Sequence, residues 1–231
     1  MLEAAKFHGV SKYFYSSSAC VYPDYRQDNA DIVALKESDA YPAMPEDGYG
    51  WEKLFSERLC KNFEQDFVFK AQVFRFHNVY GPNGTWDGGR EKAPAAMCRK
   101  VIECIDKDNM EMEIWGDGEQ TRSFMYIDDC ITGIDKLMES GHTDPLNLGR
   151  TECVTINGLL DIVEGIAGVK VKRNYNLDAP QGVRGRNSDN TEIKKVLGWE
   201  PEIDLRTGME KTYHWIKEQH DRRKLGETVV Q

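Results

Sequence analysis

Apolar and polar positions along the first third of the chain alternate between two rhythms. The opening residues 2–8 mix apolar and charged side chains and stop at Gly9, a natural helix C-cap. Residues 12–16 (KYFYS) form a short aromatic-rich run with strand character, and it leads into the small polar loop Ser16-Ser17-Ser18-Ala19-Cys20. Residues 24–46 are polar and proline-bearing and predict a long surface loop. Asp47 is placed to cap a helix over 48–62, in which Leu54, Phe55, Leu59 and Phe63 fall at helical spacing. Residues 67–79 hold a second apolar strand that ends at Tyr80-Gly81-Pro82. Helix, strand, helix, strand is the order of a parallel α/β sheet.

The pattern then changes. Residues 83–90 (NGTWDGGR) are a glycine-rich loop, and 93–105 read as a helix with Pro94 in its first turn. Residues 112–115 and 122–127 read as strands, and Gly116-Asp117-Gly118 between them predicts a hairpin. Helices are expected over 128–140 and 155–166, with a short strand near 145–148. The charged tail from Arg222 is expected to fray.

Composition narrows the function. At 40% hydrophobic and 30% charged residues, the chain reads as globular. It holds no apolar run of bilayer length, and its opening has no signal-peptide core, so the expected address is the cytosol. A formal charge of −9 is the opposite of a nucleic-acid binder's balance, and an anionic ligand would need locally gathered Arg and Lys. The six cysteines have no C-x-x-C or zinc-ligand spacing, so no metal is expected and five read as small buried hydrophobes. Cys20, in the serine loop, is the exception.

The motif Tyr49-Gly50-Trp51-Glu52-Lys53 sets a phenol and an ammonium one helical turn apart on one face. A nearby ammonium is expected to lower the tyrosine pKa, so that Tyr49 can exchange a proton with a sugar hydroxyl. The bland alternative is an exposed pair. A strand-end serine loop upstream is where an α/β sheet places a ligand, and Ser17 is expected to orient the substrate against Tyr49. This pairing resembles the short-chain dehydrogenase/reductases. VYP (21–23), RFHNVYGP (75–82) and RSFMYIDD (122–129) are similar to the extended branch of that family, which acts on nucleotide sugars.

Four longer segments resemble the GDP-mannose 3,5-epimerase family, in that family's order: SSACVY (17–22), 76–100, WGDGEQTRSF (115–124) and GVRGRNSDN (182–190). The resemblance implies an α/β fold: the C-terminal part of a Rossmann-like parallel sheet domain over 1–82, then a smaller α/β nucleotide-sugar domain over 83–231 with some segments returning to the sheet. It implies NAD as cofactor, touched by Tyr49, Lys53, Phe76 and Asn78. It implies Cys20 and Lys92 as the acid/base pair that inverts C3 and C5 after oxidation at C4. The GDP-sugar contacts it implies are Ser18, Ala19, Cys20, Asn78, Glu91, Lys92, Ala93, Lys100, Gln120, Thr121, Arg122 and Arg186. The implied product is GDP-L-galactose, a precursor for ascorbate and cell-wall sugars, and the implied assembly is a homodimer joined through the 48–62 helix. A packing thiol, a solvated loop lysine and a charged surface loop around Arg184 and Arg186 are the bland alternatives.

One departure stands out. No G-x-G-x-x-G turn is present, and a βαβ unit needs roughly thirty residues, so several units are expected to be missing ahead of Leu2. The expectation is an N-terminally shortened chain with weak NAD affinity. Competing readings are a nucleotide-sugar 4-epimerase, a 4,6-dehydratase, or a non-catalytic binding or regulatory chain. Elsewhere, Asp128 and Asp129 read as helix N-terminal acids rather than a metal pair, His77 as a packed histidine, and the aromatics of 213–215 as core.

Overall fold

The computed structural model describes residues 1–29, 34–180 and 182–230. In chain order the elements are α1 (Leu2–Phe7), β1 (Lys12–Ser18), α2 (Gly48–Asp66), β2 (Lys70–Phe76), β3 (Val79–Tyr80), α3 (Ala93–Asp106), β4 (Glu111–Trp115) and β5 (Thr121–Arg122). There follow β6 (Met125–Tyr126), α4 (Ile127–Ser140), β7 (Leu146–Leu148), β8 (Val154–Thr155), α5 (Ile156–Ala167), β9 (Lys172–Asn176), β10 (Gly185–Arg186), α6 (Thr191–Leu197) and α7 (Leu205–Lys224).

Strands β1, β2 and β7 form a parallel sheet with β2 in the middle. Ala71 through Arg75 on β2 are all buried, the mark of a strand covered on both faces. Helix α2 starts where Asp47 accepts a hydrogen bond from the Gly50 N–H at 2.8 Å. Its buried face is Gly50, Leu54, Glu57 and Cys60. Of the apolar set expected from spacing, Leu54 is on the packed face and Phe63 is half-buried, while Phe55 and Leu59 point outward. A charged Glu57 takes the inward position because a buried arginine on β2 meets it.

Later segments complete this sheet. Leu146 and Leu148 of β7, Ile193 of α6, and Cys130 and Leu137 of α4 share one core with Phe74 of β2. A second core gathers α3, α5 and α7 around Val101, Leu160 and Ile216, with Trp86 fully enclosed. Thr155 begins α5 by accepting from the Gly158 N–H at 2.9 Å.

Three expectations are corrected. The 112–127 segment is not a hairpin: β4 pairs in parallel with β9, while β5 pairs with β10 and β8. Gly116 and Gly118, at φ of 76° and 77°, turn the chain out of one sheet and into another. The 24–46 segment is more than a surface loop, because Leu35 is buried and bridges Ser188; residues 30–33 of it lie outside the described residues. The tail is not frayed from Arg222: α7 runs to Lys224, and Val230 accepts a hydrogen bond from the Trp86 indole at 2.5 Å. Among the described residues no helix is long and apolar enough to cross a membrane.

Candidate active site

The carboxyl end of β1 separates two neighbouring serines. Successive strand residues face opposite sides of a sheet. Ser18 faces the open side, where its side chain accepts from the Cys20 N–H at 3.2 Å and bonds the Tyr49 hydroxyl. Cys20 sits half-buried in the single helical turn Ala19–Val21. Gly50 lets α2 approach that turn, since a Cβ there would overlap the Cys20 carbonyl oxygen. The glycine inside the Tyr49–Lys53 motif therefore sets Tyr49 beside Cys20.

Lys53 lies over the Tyr49 ring, 5.3 Å from its centroid, and donates to the Ser16 carbonyl at 3.0 Å. Tyr49 is nonetheless held above the usual tyrosine range. Burial pushes it up, and neighbouring Cys20, Glu52 and Asp47 add to this, while the Ser18 hydrogen bond opposes it. The expected lowering by Lys53 is not found. The ammonium is bonded to a backbone carbonyl and faces the ring rather than the phenol oxygen.

Ser17 was expected to reach the substrate, and its placement corrects that expectation. It is 2% exposed and donates to Glu57 on the closed side of the strand. Glu57 also takes two hydrogen bonds from Arg75, Nε at 3.0 Å and Nη2 at 2.7 Å. Arg75 continues to the Tyr22 hydroxyl at 3.3 Å, and Tyr22 donates to Asn147 at 2.5 Å. His77 meets the same Asn147 oxygen at 3.2 Å, and burial drives its pKa down to about 3, so it is a neutral, packed histidine. Phe76 is half-buried against Phe14 and Phe74.

A cavity of about 510 Å³ lies between the start of α3, β4 and β5, and Ser18, Ala19, Cys20, Tyr49 and Arg186 are not among its lining residues. Asn78, Glu91, Lys92, Ala93, Lys100, Gln120 and Arg122 all line it, so residues far apart in sequence and expected to meet one ligand do share one space. Asn78, at a φ of 33°, donates to the Ser123 carbonyl at 3.1 Å. Ala93 opens α3, so the positive end of that helix faces the cavity. Glu91 turns inward to accept from Arg99 at 2.7 Å and from the Gly89 N–H at 2.7 Å. Burial opposes its ionisation, but these donors outweigh it and hold the carboxyl below the usual range. Lys92 itself is exposed. Thr121 does not line the cavity: its N–H donates to the Arg184 carbonyl at 3.0 Å, and its hydroxyl bonds Cys153.

Arg122 and Arg186 are register partners on β5 and β10. Burial first, and the Arg186 charge second, bring the Arg122 pKa down to about 10. Arg186 Nη1 lies 3.5 Å from the Cys20 sulfur, its Nη2 3.8 Å from Glu46, and its Nε donates to Gln27. Arg186 thus links the Cys20–Tyr49 corner to the cavity wall. Arg184, by contrast, is a half-buried partner of Asp117 at 2.8 and 2.9 Å. Asp129 caps the approach to α7, accepting from the N–H groups of Glu202 and Ile203 at 3.1 and 2.9 Å.

Sequence reasoning passed over Gln27, Glu57, Arg99 and Trp86. Glu57 carried a signal, because it lies one turn beyond Lys53 on the Tyr49 face. Gln27 carried none.

The sequence profile of the NAD dependent epimerase/dehydratase family matches residues 1–149. The chain belongs to that family. GDP-mannose 3,5-epimerase of Arabidopsis thaliana is 49% identical over 224 residues, covering 97% of this chain and 58% of the relative. GDP-mannose 3,5-epimerase 1 of Oryza sativa subsp. indica is 50% identical over the same share. The chain therefore spans under two thirds of the length of these relatives. Among solved structures, UDP-glucose 4-epimerase of Thermotoga maritima, with UDP-glucose, superposes with a TM-score of 0.83 at 27% identity, covering 98% of this chain and 68% of that one. UDP-glucuronic acid 4-epimerase of Bacillus cereus, in complex with UDP-glucuronic acid and NAD, gives 0.76 at 28% identity over 94% and 65%. The resemblance read from the four segments and the Rossmann-like α/β class both hold.

The family's cofactor is NAD, and the donor set here fits its nicotinamide–ribose end. The Tyr49 side chain and the Lys53 ammonium over its ring stand at the carboxyl end of a parallel sheet. Among the described residues no glycine-rich strand-to-helix turn serves the pyrophosphate.

Proposed function

We propose that this chain carries the sugar-binding and acid/base machinery of an enzyme that inverts GDP-mannose at C3 and C5, through transient oxidation at C4. The observation that carries the reading is the meeting of Cys20 with Ser18 and Tyr49 on one side and Arg186 on the other, with Arg186 the register partner of Arg122 in the wall of the cavity that Lys92 also lines. The identity to GDP-mannose 3,5-epimerases supports the same substrate.

Inverting an unactivated C–H centre is slow because that carbon acid is very weak. NAD, when bound, supplies the hydride acceptor and donor at C4, held by Tyr49 and Lys53. Tyr49 takes the proton of the C4 hydroxyl and later returns it, with Ser18 orienting that oxygen. The C4 ketone acidifies the hydrogens at C3 and C5. At each centre one of Cys20 and Lys92 removes a proton from one face, and the other delivers a proton to the opposite face. Each inversion gains and loses one proton, so the sugar leaves with its hydrogen count unchanged. Arg122, Arg186 and Lys100 concentrate positive charge where a diphosphate would lie, in a chain that is acidic overall.

Residues 1–82 belong, in this reading, to the NAD-binding sheet domain and residues 83–231 mainly to the sugar-binding domain. The exposed Trp51, Phe55 and Leu59 of α2 support a homodimer joined through that helix. A cytosolic address and a product that feeds ascorbate complete the proposal.

The test is isotopic. Incubated with GDP-mannose and NAD in D2O, the chain, or a form of the relatives' length, takes up deuterium at C3 and C5. A 4-epimerase would exchange neither position. Cys20→Ala is expected to abolish the uptake, and full exchange in that variant would remove Cys20 from the mechanism.

A further inference from the structure

Gln27 is fully buried, although the surrounding 24–46 segment is polar. Its side-chain amide donates to the carbonyls of Tyr22 at 3.3 Å and Pro23 at 3.0 Å. Those two acceptors fix the orientation of the amide. A flipped amide would set its oxygen against two carbonyl oxygens, so the oxygen must face the other way. On that side it accepts from Arg186 Nε. The Gln27 backbone carbonyl takes the N–H groups of Arg184 at 2.9 Å and Gly185 at 3.1 Å, so the same residue anchors both the start of β10 and the side chain that β10 carries.

An arginine bonded at Nε still has two Nη groups to direct. One reaches the Cys20 sulfur at 3.5 Å and the other lies 3.8 Å from Glu46. Glu46 is an exposed carboxylate on the loop before α2 and competes with the sulfur for the same guanidinium. Without the Nε anchor, the guanidinium is free to swing to that carboxylate. We propose that Gln27 is the positioning residue that aims Arg186 at the Cys20 thiol. Its purpose rests on the reading of Cys20 as an acid/base group, but the relay stands on contacts that hold whether or not the chain turns over. The relay has three members: a rigid buried amide, a guanidinium held at Nε, and a sulfur facing the remaining donor. A guanidinium so held keeps a hydrogen-bond donor turned toward the sulfur, the atom through which a cysteine reacts.

The experiment is alkylation of the intact chain by iodoacetamide at neutral pH, with the Cys20 peptide followed by mass spectrometry. The four buried cysteines and half-buried Cys153 are thereby scored separately. Gln27→Met keeps the length and apolar bulk of the side chain but removes the acceptor. It is expected to slow Cys20 labelling by about tenfold and to leave Cys153 unchanged. Arg186→Met is expected to slow Cys20 at least as much, and the double variant no more than Arg186→Met alone, because the first residue acts only through the second. Labelling of Cys20 within about twofold of the unsubstituted rate in Gln27→Met, or effects that multiply in the double variant, overturns the relay. If Gln27→Met does not fold, the arginine Nε–H resonances of the unsubstituted chain decide. The relay requires a slowly exchanging Nε–H that is lost in Arg186→Lys, and rapid exchange at Arg186 rejects it. Loss of deuterium uptake with an intact relay would reject the epimerase reading alone.

Discussion

Two adjacent serines at the end of β1 lead into regions with opposite characters. Ser17 enters a closed network in which Glu57, Arg75, Tyr22, Asn147 and His77 bond one another across β1, β2, β7 and α2, with His77 Nδ1 left without a partner among the described residues. Ser18 enters a more open corner, in which Tyr49 is exposed and Cys20 and Arg186 are partly buried. The closed side spends its polar groups on one another and fixes geometry. The open side leaves them for a ligand. Substitutions on the closed side should therefore change stability first, and those on the open side chemistry first.

The sharpest way to break this contrast is Glu57→Ala. It leaves the Arg75 guanidinium buried, at 3% side-chain exposure, without its charge partner. The expected loss is about 3–5 kcal/mol, read from urea denaturation. An effect below about 1 kcal/mol would show that water reaches the site and that the closed side is not closed.

His77 gives the next largest effect, through pH. Its folded pKa of about 3 lies below the unfolded value near 6.5. The unfolded chain therefore binds the extra proton between those values. The contribution of the neutral histidine is fully present above about pH 6.5 and is lost as pH falls toward 3, with a slope of up to about 1.4 kcal/mol per pH unit. His77→Asn should flatten that part of the stability profile. An unchanged profile would place the titration elsewhere.

The smallest effect makes the most direct comparison. Ser17→Ala should cost about 1–2 kcal/mol, because a buried Glu57 oxygen loses a donor. Ser18→Ala should stay within about 0.5 kcal/mol in stability, yet lower deuterium exchange through its lost bond to Tyr49. Equal stability effects for the two serines would erase the distinction between the two sides.

Much of this was legible from local signals. Asp47 followed by apolar positions at helical spacing marked α2, and aromatic runs marked β1 and β2. The Tyr49–Lys53 pair and the cavity residues followed from motif order. What stayed hidden depended on parity and on distant partners. Three serines in a row do not reveal which of them faces the open side, so Ser17 was preferred to Ser18. Two short strands flanking a glycine turn read as a hairpin because the true partners, β9 and β10, lie more than fifty residues further on. The Tyr49 pKa went the other way because burial raises it and the Lys53 ammonium is spent on a backbone carbonyl, neither of which spacing can show. Gln27 was hidden because only a folded turn shows what its amide touches.

The enclosed Trp86 has a consequence for the chemistry at a distance. It lies on the same loop as Lys92, beneath the Arg223 guanidinium at 4.2 Å, and its indole is bonded to Val230. Asp87 beside it pairs with Arg223 and, at 3.5 Å, with Arg99. Residues 86–87 and 223–230 are thus stitched together, and the loop that presents Lys92 is moored to the last helix. A protease that trimmed the chain just after Arg222, removing both Arg223 and Val230, would cut nothing near the cavity in sequence terms, yet it would release the mooring of an amine placed more than a hundred residues upstream.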